Sequence, residues 1–309
     1  MEEARNGILL SAEELIGLRY AAKGLPPEPR RARSLLEGSY LSPFKGRGME
    51  FSETRIYQAG DDIRHMEWRV TARTGKPHIK LFREERERAV LIWLDFRRPM
   101  FFATRGRFKA IQAARAAAVA GWGAAWRGDR LGGLIFSEQE NRELRPQRGD
   151  RAVLSLIREL IRFPTPDPTS RTQENPLALN QALVRLRRVV LPGSMVFLFS
   201  DFRGLTPTDQ THLVQLARHN DLTLFFLHDP LERSLPPSGG RYPVSFGQSL
   251  PRLLNVNNPR IRAEYAAQFQ RRLDHLTTFC RSIGALLISC STDEESPSAL
   301  RRGFGLTPK

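Results

Sequence analysis

Ala89-Val90-Leu91-Ile92-Trp93-Leu94 runs without a polar break into Asp95. The same form returns at Met195-Val196-Phe197-Leu198-Phe199 before Ser200-Asp201, and at Leu222-Thr223-Leu224-Phe225-Phe226-Leu227 before His228-Asp229. Unbroken apolar strands suit the interior of a parallel sheet covered on both faces. The pattern therefore predicts central strands that emerge at Asp95, Asp201 and Asp229 along one edge of the sheet. Between them the period changes to that of helices. Residues 107–126 are alanine-rich with apolar positions at helical spacing, and 150–161, 176–190 and 207–220 follow the same period. Asn175-Pro176 and Thr206-Pro207 place a capping side chain before a proline suited to a first turn. Segments 131–136 and 142–144 add two short strands. A long helix over 260–283, with Ile261, Tyr265, Phe269, Leu273, Leu276, Cys280 and Ile283 on its apolar face, feeds a last strand over 285–289. Alternation of this kind predicts an α/β fold with a doubly wound, mostly parallel sheet. The stretches 163–176 and 230–259 are irregular.

The first 86 residues read differently. A short helix over 11–22 is broken by Pro26-Pro27-Glu28-Pro29, and the chain beyond it alternates glycines, charges and short extended pieces such as Arg55-Ile56-Tyr57 and His78-Ile79-Lys80-Leu81-Phe82. The expected organisation is a small β-rich module over 1–86 and a large α/β domain over 87–309.

Composition narrows the function. A formal charge of +15 suits an anionic partner, but the arginines are spread along the whole chain. With no helix-turn-helix, zinc finger or aromatic ribonucleoprotein motif, specific nucleic-acid binding is not expected. The two cysteines, Cys280 and Cys290, can build neither a disulfide framework nor a four-ligand metal site. They read as inert core thiols in a reducing compartment. Without a signal-peptide pattern or a membrane-length apolar run, the expectation is a cytoplasmic, soluble chain.

The densest chemistry lies between residues 46 and 73: Gly46, Gly48, Glu50, Phe51, Arg55, Tyr57, Gly60, Asp61, Asp62, Arg64, Trp68 and Arg73. Glu50, Glu53, Asp61, Asp62 and Glu67 have the look of a two-metal hydrolytic centre. The interleaved Arg47, Arg55, Arg64, Arg69 and Arg73 favour an ion-pair network instead. Gly46-x-Gly48 is too short for a dinucleotide fingerprint and reads as a turn. The histidines show no metal-ligand spacing, and there is no P-loop or nucleophile elbow. Trp68 is placed to anchor the module or to meet a partner.

This spaced signature resembles that of the bacterial domain-of-unknown-function 58 family, and the likeness continues through Asp95, Ser200-Asp201, Arg262-x-x-Tyr265 and Ser289-Cys290-Ser291-Thr292-Asp293. The resemblance implies a β-rich module followed by a von Willebrand factor A-like domain. It also implies association with MoxR-type AAA+ ATPases, and with it a non-enzymatic adaptor role in assembly or remodelling of a complex. Other von Willebrand A proteins or a membrane-associated complex are further implied partners. A basic nucleic-acid-binding protein and a metal-dependent hydrolase remain as alternatives.

Von Willebrand A domains often hold Mg²⁺ with an Asp-x-Ser-x-Ser turn, a later threonine and a later aspartate. The corresponding turn is Asp95-Phe96-Arg97-Arg98-Pro99, with Arg97 and Pro99 at the serine positions. The later aspartate is Asp201, and the threonine falls near 165–175. If any cation bound, Asp95 and Asp201 would hold it. A guanidinium can supply the charge that a metal would bring, and Asp95-Phe96-Arg97 recurs as Asp201-Phe202-Arg203. The expectation is a degenerate, metal-free site whose interaction surface is Asp95, Arg97, Arg98, Asp201 and Arg203, with Asp229 alongside. Exchanging Arg97→Ser with Pro99→Ser is expected to create cation-dependent thermal stabilisation that the natural chain lacks. Melting curves with and without Mg²⁺ check this; equal shifts in both proteins would refute arginine replacement.

Overall fold

The computed structural model describes residues 10–24, 49–58, 61–84, 88–164, 175–237, 240–244 and 252–306. In chain order the elements are α1 (Ala12–Gly17), β1 (Met49–Ile56), α2 (Trp68–Thr74), β2 (His78–Glu84), β3 (Ala89–Asp95) and α3 (Lys109–Trp126). They continue with β4 (Arg130–Phe136), β5 (Asn141–Arg148), α4 (Asp150–Arg162), α5 (Ala178–Val189), β6 (Met195–Ser200), α6 (Pro207–Ala217) and β7 (Asp221–His228). The last are α7 (Pro230–Arg233), β8 (Arg241–Val244), β9 (Arg252–Asn255), α8 (Pro259–Ser282), β10 (Leu286–Ser291) and α9 (Ser296–Gly303).

Six strands form one sheet in the order β10-β7-β6-β3-β4-β5. All neighbours run parallel except the edge pair β4 and β5. The first strand of this sheet in the chain, β3, lies at its centre, and the winding reverses between β3 and β6. This is the doubly wound α/β arrangement that the apolar runs predict, and the reversal opens a crevice at the strand ends.

The unbroken apolar character of β3 has a direct cause. Val90, Ile92 and Leu94 enter a core with α1, α3, α4 and α9, while Leu91 and Trp93 enter a second core with α5, α6 and α8. Each face needs its own apolar residues, so the alternation of a one-sided strand disappears. At the edge, a bulge between Leu131 and Gly133 lets β5 cross closely: a Cβ on Gly132 would meet the Leu144 carbonyl at 2.8 Å.

Thr206 caps α6 through a reciprocal capping box with Asp209. After Asn175-Pro176 the chain makes a turn before α5 begins, with the Asn175 side chain accepting from the Leu177 amide. The stretch read as irregular after residue 230 holds the short α7 and the hairpin β8–β9. Among the described residues no helix is long and apolar enough to cross a membrane.

The chain divides into two units, Met1–Ala32 with Arg88–Lys309, and Arg33–Glu87. This differs from a boundary at 86/87 because α1 packs into the large unit. Leu15 is fully buried there, the Trp122 indole donates to its carbonyl at 3.0 Å, and Arg301 reaches the Ala21 and Lys23 carbonyls at 3.1 and 3.0 Å. In the small unit β1 pairs antiparallel with β2, Met66 bridges to the buried Ile79, and α2 closes at Gly75, whose φ of 68° needs glycine.

Leu15→Ala should cost about 2–5 kcal/mol, the usual range for emptying a core leucine site. The loss should appear in the main cooperative unfolding transition of the large unit. A main transition that leaves α1 out would not move.

Candidate functional site

Asp95 and Asp201 follow the parallel neighbours β3 and β6 to the same end of the sheet, and both are fully buried. The repeated Asp-Phe-Arg tripeptide makes the same aspartate-to-amide contact twice. Asp95 accepts from the Arg97 amide at 2.9 Å, and Asp201 accepts from the Arg203 amide at 3.0 Å.

The two arginine side chains then part. Arg97 folds back on its own aspartate, with Nε 3.0 Å from Oδ1 and Nη2 2.7 Å from Oδ2. Arg203 reaches away to Glu232 Oε1 at 2.8 Å, and its Nε stands 3.5 Å from Asp201 Oδ2 without forming a hydrogen bond. Asp201 is matched instead by Lys109, the first residue of α3. Its fully buried ammonium lies 2.8 Å from both Asp201 Oδ2 and Glu232 Oε1.

Hydroxyls and backbone complete the cluster. Ser200 Oγ donates to Asp95 Oδ2 at 2.6 Å and accepts from the Phe202 amide at 2.8 Å. Arg97 Nη2 donates to the Arg203 carbonyl at 3.3 Å, which ties the turns together. Phe202, between them, has a φ of 50° and a buried side chain. A phenylalanine in the left-handed region is strained by about 1–3 kcal/mol, so the surroundings must enforce it.

Asp229 takes another route. It caps α7 through the Leu231 amide and accepts from the Thr104 amide at 2.7 Å, the Thr104 hydroxyl at 2.6 Å and the Thr292 hydroxyl at 2.7 Å. Gly106 permits this loop to close: its φ is 71°, and a Cβ there would stand 2.1 Å from the Thr292 carbonyl oxygen.

The electrostatics follow from these contacts. Burial works to raise Asp201, but Lys109, Arg97 and Arg203 outweigh it and hold the carboxyl well below the usual range. Burial works to lower Arg97, and Asp95 more than offsets that. For Asp229, burial opposes ionisation and the hydrogen bonds from Thr104, Thr292 and Leu231 prevail.

The residues do not fit a divalent cation. Asp95 spends both oxygens on Arg97, Ser200 and its own turn, Asp201 is filled by Lys109 and the Arg203 amide, and Arg97 and Pro99 stand where hydroxyl ligands would be needed. Among the described residues no group of three or more His, Cys, Asp or Glu could hold a metal. Asp95 and Asp201 are the buried floor of the arrangement. Arg98 is exposed with its amide on Glu138 at 2.9 Å, and the Arg203 side chain is 36% exposed.

A second group lies between β7 and α8. The Arg272 guanidinium sits over Phe226 and Phe269, 5.3 and 5.7 Å from their centroids, and His228 packs on the same two rings at 5.5 and 5.2 Å. Among the described residues, Nε and Nη2 of Arg272 and Nδ1 of His228 are buried without a hydrogen-bond partner. Each such group costs about 1–3 kcal/mol. Burial lowers the affinity of both side chains for a proton.

In the small unit the signature carboxylates find local partners. Asp61 accepts from Arg55 at 2.7 Å and from the Gln58 amide at 2.8 Å, which hold it below the usual carboxylate range. Asp62 accepts from the Arg64 amide at 3.0 Å, and Glu67 takes the Arg69 amide and the Lys80 ammonium. Trp68 opens α2 with 67% of its surface exposed, Arg73 lies in its last turn, and the Tyr57 amide donates to the Pro77 carbonyl. Glu50 and Phe51 lie on β1 opposite Arg83 and Phe82. Gly46, Gly48 and Gly60 lie outside the described residues, as do the threonine candidates Thr165, Thr169 and Thr172.

Sequence reasoning missed Lys109, Glu232, Thr104 and Arg272. A lysine at the head of an alanine-rich helix with few polar positions was the available signal for the first.

Residues 53–274 match the family described as "Protein of unknown function DUF58". The chain belongs to the DUF58 family. Two relatives, the uncharacterized proteins Rv1480 of Mycobacterium tuberculosis and Mb1516 of Mycobacterium bovis, are each 30% identical over 262 residues, 84% of this DUF58 chain and 80% of the relative. Among solved structures, the DUF58 chain is similar to the conserved hypothetical protein BatB from Bacteroides thetaiotaomicron, with TM-score 0.42, 12% identity and coverage of 71% of this chain and 97% of that one. It is also similar to an aerotolerance-related membrane protein from Bacteroides fragilis, with TM-score 0.39, 13% identity and coverage of 71% and 98%. A von Willebrand factor type A protein from Catenulispora acidiphila gives TM-score 0.31, 10% identity and coverage of 73% and 44%.

Lys109→Met should destabilise this DUF58 protein by about 3–5 kcal/mol at neutral pH, because it takes the ammonium away from the buried Asp201 carboxylate. The pH dependence should change as well. The depressed Asp201 adds stability that is fully present above its unfolded value near 3.8 and is lost only below it. Without the ammonium, its folded value rises above the unfolded one. The variant should then gain stability relative to the natural chain as pH falls from about 7 to 5. Urea denaturation across that range checks both statements.

Proposed function

We propose that the chain is a non-enzymatic protein-interaction adaptor that presents the loops at its strand ends, around Asp95, Arg97, Arg98, Asp201 and Arg203, to another protein. The observation that carries this reading is that the carboxylates of the strand-end cluster are already matched internally. Asp95 is held by Arg97, Asp201 by Lys109, and Glu232 by Lys109 and Arg203. A carboxylate in that condition is a poor general base and a poor metal ligand, since its lone pairs and charge are committed. The same committed pairs fix the loops, and fixed loops lower the entropic cost of association.

The crevice outside the carboxyl ends of an open α/β sheet is also where ligands of such folds bind. The partner that the signature implies is a MoxR-type AAA+ ATPase, with the chain coupling that motor to assembly or remodelling of a complex, free of Mg²⁺ and in the cytoplasm. In the small unit, Arg55–Asp61 and Lys80–Glu67 pairing supports a role in holding the module together over a hydrolytic one.

Capture of the tagged chain from native lysate, with and without ATP, should retain an AAA+ ATPase. Reversing an exposed charge, Arg98→Glu, should weaken retention about tenfold while circular dichroism shows the chain still folded. Retention of nuclease-sensitive nucleic acid in place of an ATPase would overturn the reading.

A further inference from the structure

Arg272 stands apart from the other cations at the strand ends. Arg97, Lys109 and Arg203 each hold a carboxylate, whereas among the described residues Arg272 forms no salt bridge and no hydrogen bond, and its Nε and Nη2 are buried. Its guanidinium rests on Phe226 and Phe269, the two rings that also meet His228, a 7%-exposed residue whose Nδ1 has no partner there. Phe226 lies directly beside Ser200 in the sheet, so this patch adjoins the Asp201–Arg203 turn. There the Arg203 Nε is a further buried donor without a hydrogen bond. Both guanidiniums thus carry unsatisfied donors, and Arg272 lies in the field of Arg203 and of Asp201 and Glu232, carboxylates that Lys109 and Arg203 already occupy.

Buried donors without partners are rare in folded proteins and commonly mark a ligand or ion. Ring faces attract the guanidinium but leave its in-plane N–H groups unmatched, whereas a carboxylate meets two of them at once. Arg272 is only partly buried, so the fork can turn from the rings toward an incoming group.

We infer that Arg272, with Arg203 beside it, receives a carboxylate from an acidic side chain of a partner protein. The claim rests on the protein-binding reading above. It adds that an acidic residue is what the surface recognises, through guanidinium and not through a metal. A planar fork over flat aromatic walls matches a planar carboxylate, and the chain's formal charge of +15 favours approach by an acidic protein. Tyr265 lies in the field of both arginines, and its phenol stays protonated at neutral pH, since burial raises it; it adds a donor at the rim.

The test uses the full chain with ¹⁵N-labelled arginine side chains. Its probes are the blocked peptide Gly-Glu-Gly, the control Gly-Gln-Gly, and inorganic phosphate. The Arg272 Nε resonance should shift saturably with the glutamate peptide, with millimolar affinity, and at least about tenfold more weakly with the glutamine control. Arg272→Lys keeps the charge but not the fork and should weaken the glutamate peptide about tenfold, and Arg272→Gln should abolish its binding, both read at the Arg203 Nε resonance.

An unmoved Arg272 resonance, equal shifts with both peptides, or phosphate binding about tenfold tighter than the glutamate peptide would each overturn the proposal. The titration requires no partner protein. A saturable glutamate response without a captured ATPase would therefore sustain the receptor and remove only the ATPase reading, whereas a captured ATPase with a silent Arg272 would remove only the receptor.

Discussion

A lysine ammonium with no contact with solvent, held 2.8 Å from Asp201 and 2.8 Å from Glu232, is the constraint around which the strand-end face is arranged. A doubly wound sheet brings parallel strands out at one edge, and acids placed there are buried by the loops and helices that come after each strand. Ionised carboxylates are intolerable in such a place unless a counter-charge accompanies them. Lys109 delivers that charge from the head of α3, and Arg97 does the same for Asp95 from its own turn. The helix is thereby fixed in register against β6 and α7, and the left-handed turn at Phe202 is kept in a conformation the residue would not choose alone.

The same requirement explains why three strand-end aspartates have three different solutions. Asp95 has a guanidinium and a serine, Asp201 an ammonium and an amide, and Asp229 hydroxyls and amides. Their chemistry is spent on architecture, and the side chains of Arg98 and Arg203 are the part of the face that solvent reaches. The DUF58 family match covers most of the small unit and every strand of the large sheet except β10.

Much of this was legible in the residues. The unbroken runs at 89–95, 195–200 and 222–228 announce buried parallel strands because both faces of the sheet need apolar partners, and Thr206-Pro207 announces a helix because its capping chemistry is local. Long-range choices were not legible. The recurrence of Asp-Phe-Arg puts an arginine two residues after each aspartate, yet nothing in the tripeptide says that Arg97 will return to its aspartate while Arg203 leaves for Glu232. Lys109 hides at the start of an alanine-rich helix, where a lysine is an ordinary helix former. Helix α1 shows its own amphipathic period, but which unit receives Leu15 depends on a groove made by residues about a hundred positions later.

A cation that is part of the polypeptide cannot be lost, exchanged or competed for. Folds that borrow their central charge from solution couple their behaviour to the supply of that ion, and so acquire an off state by dilution or chelation. Here Lys109 is installed once, when the chain folds, and remains for the life of the molecule. Whatever engages this face therefore meets it permanently assembled, and the timing of engagement must be written into the visitor rather than into the host.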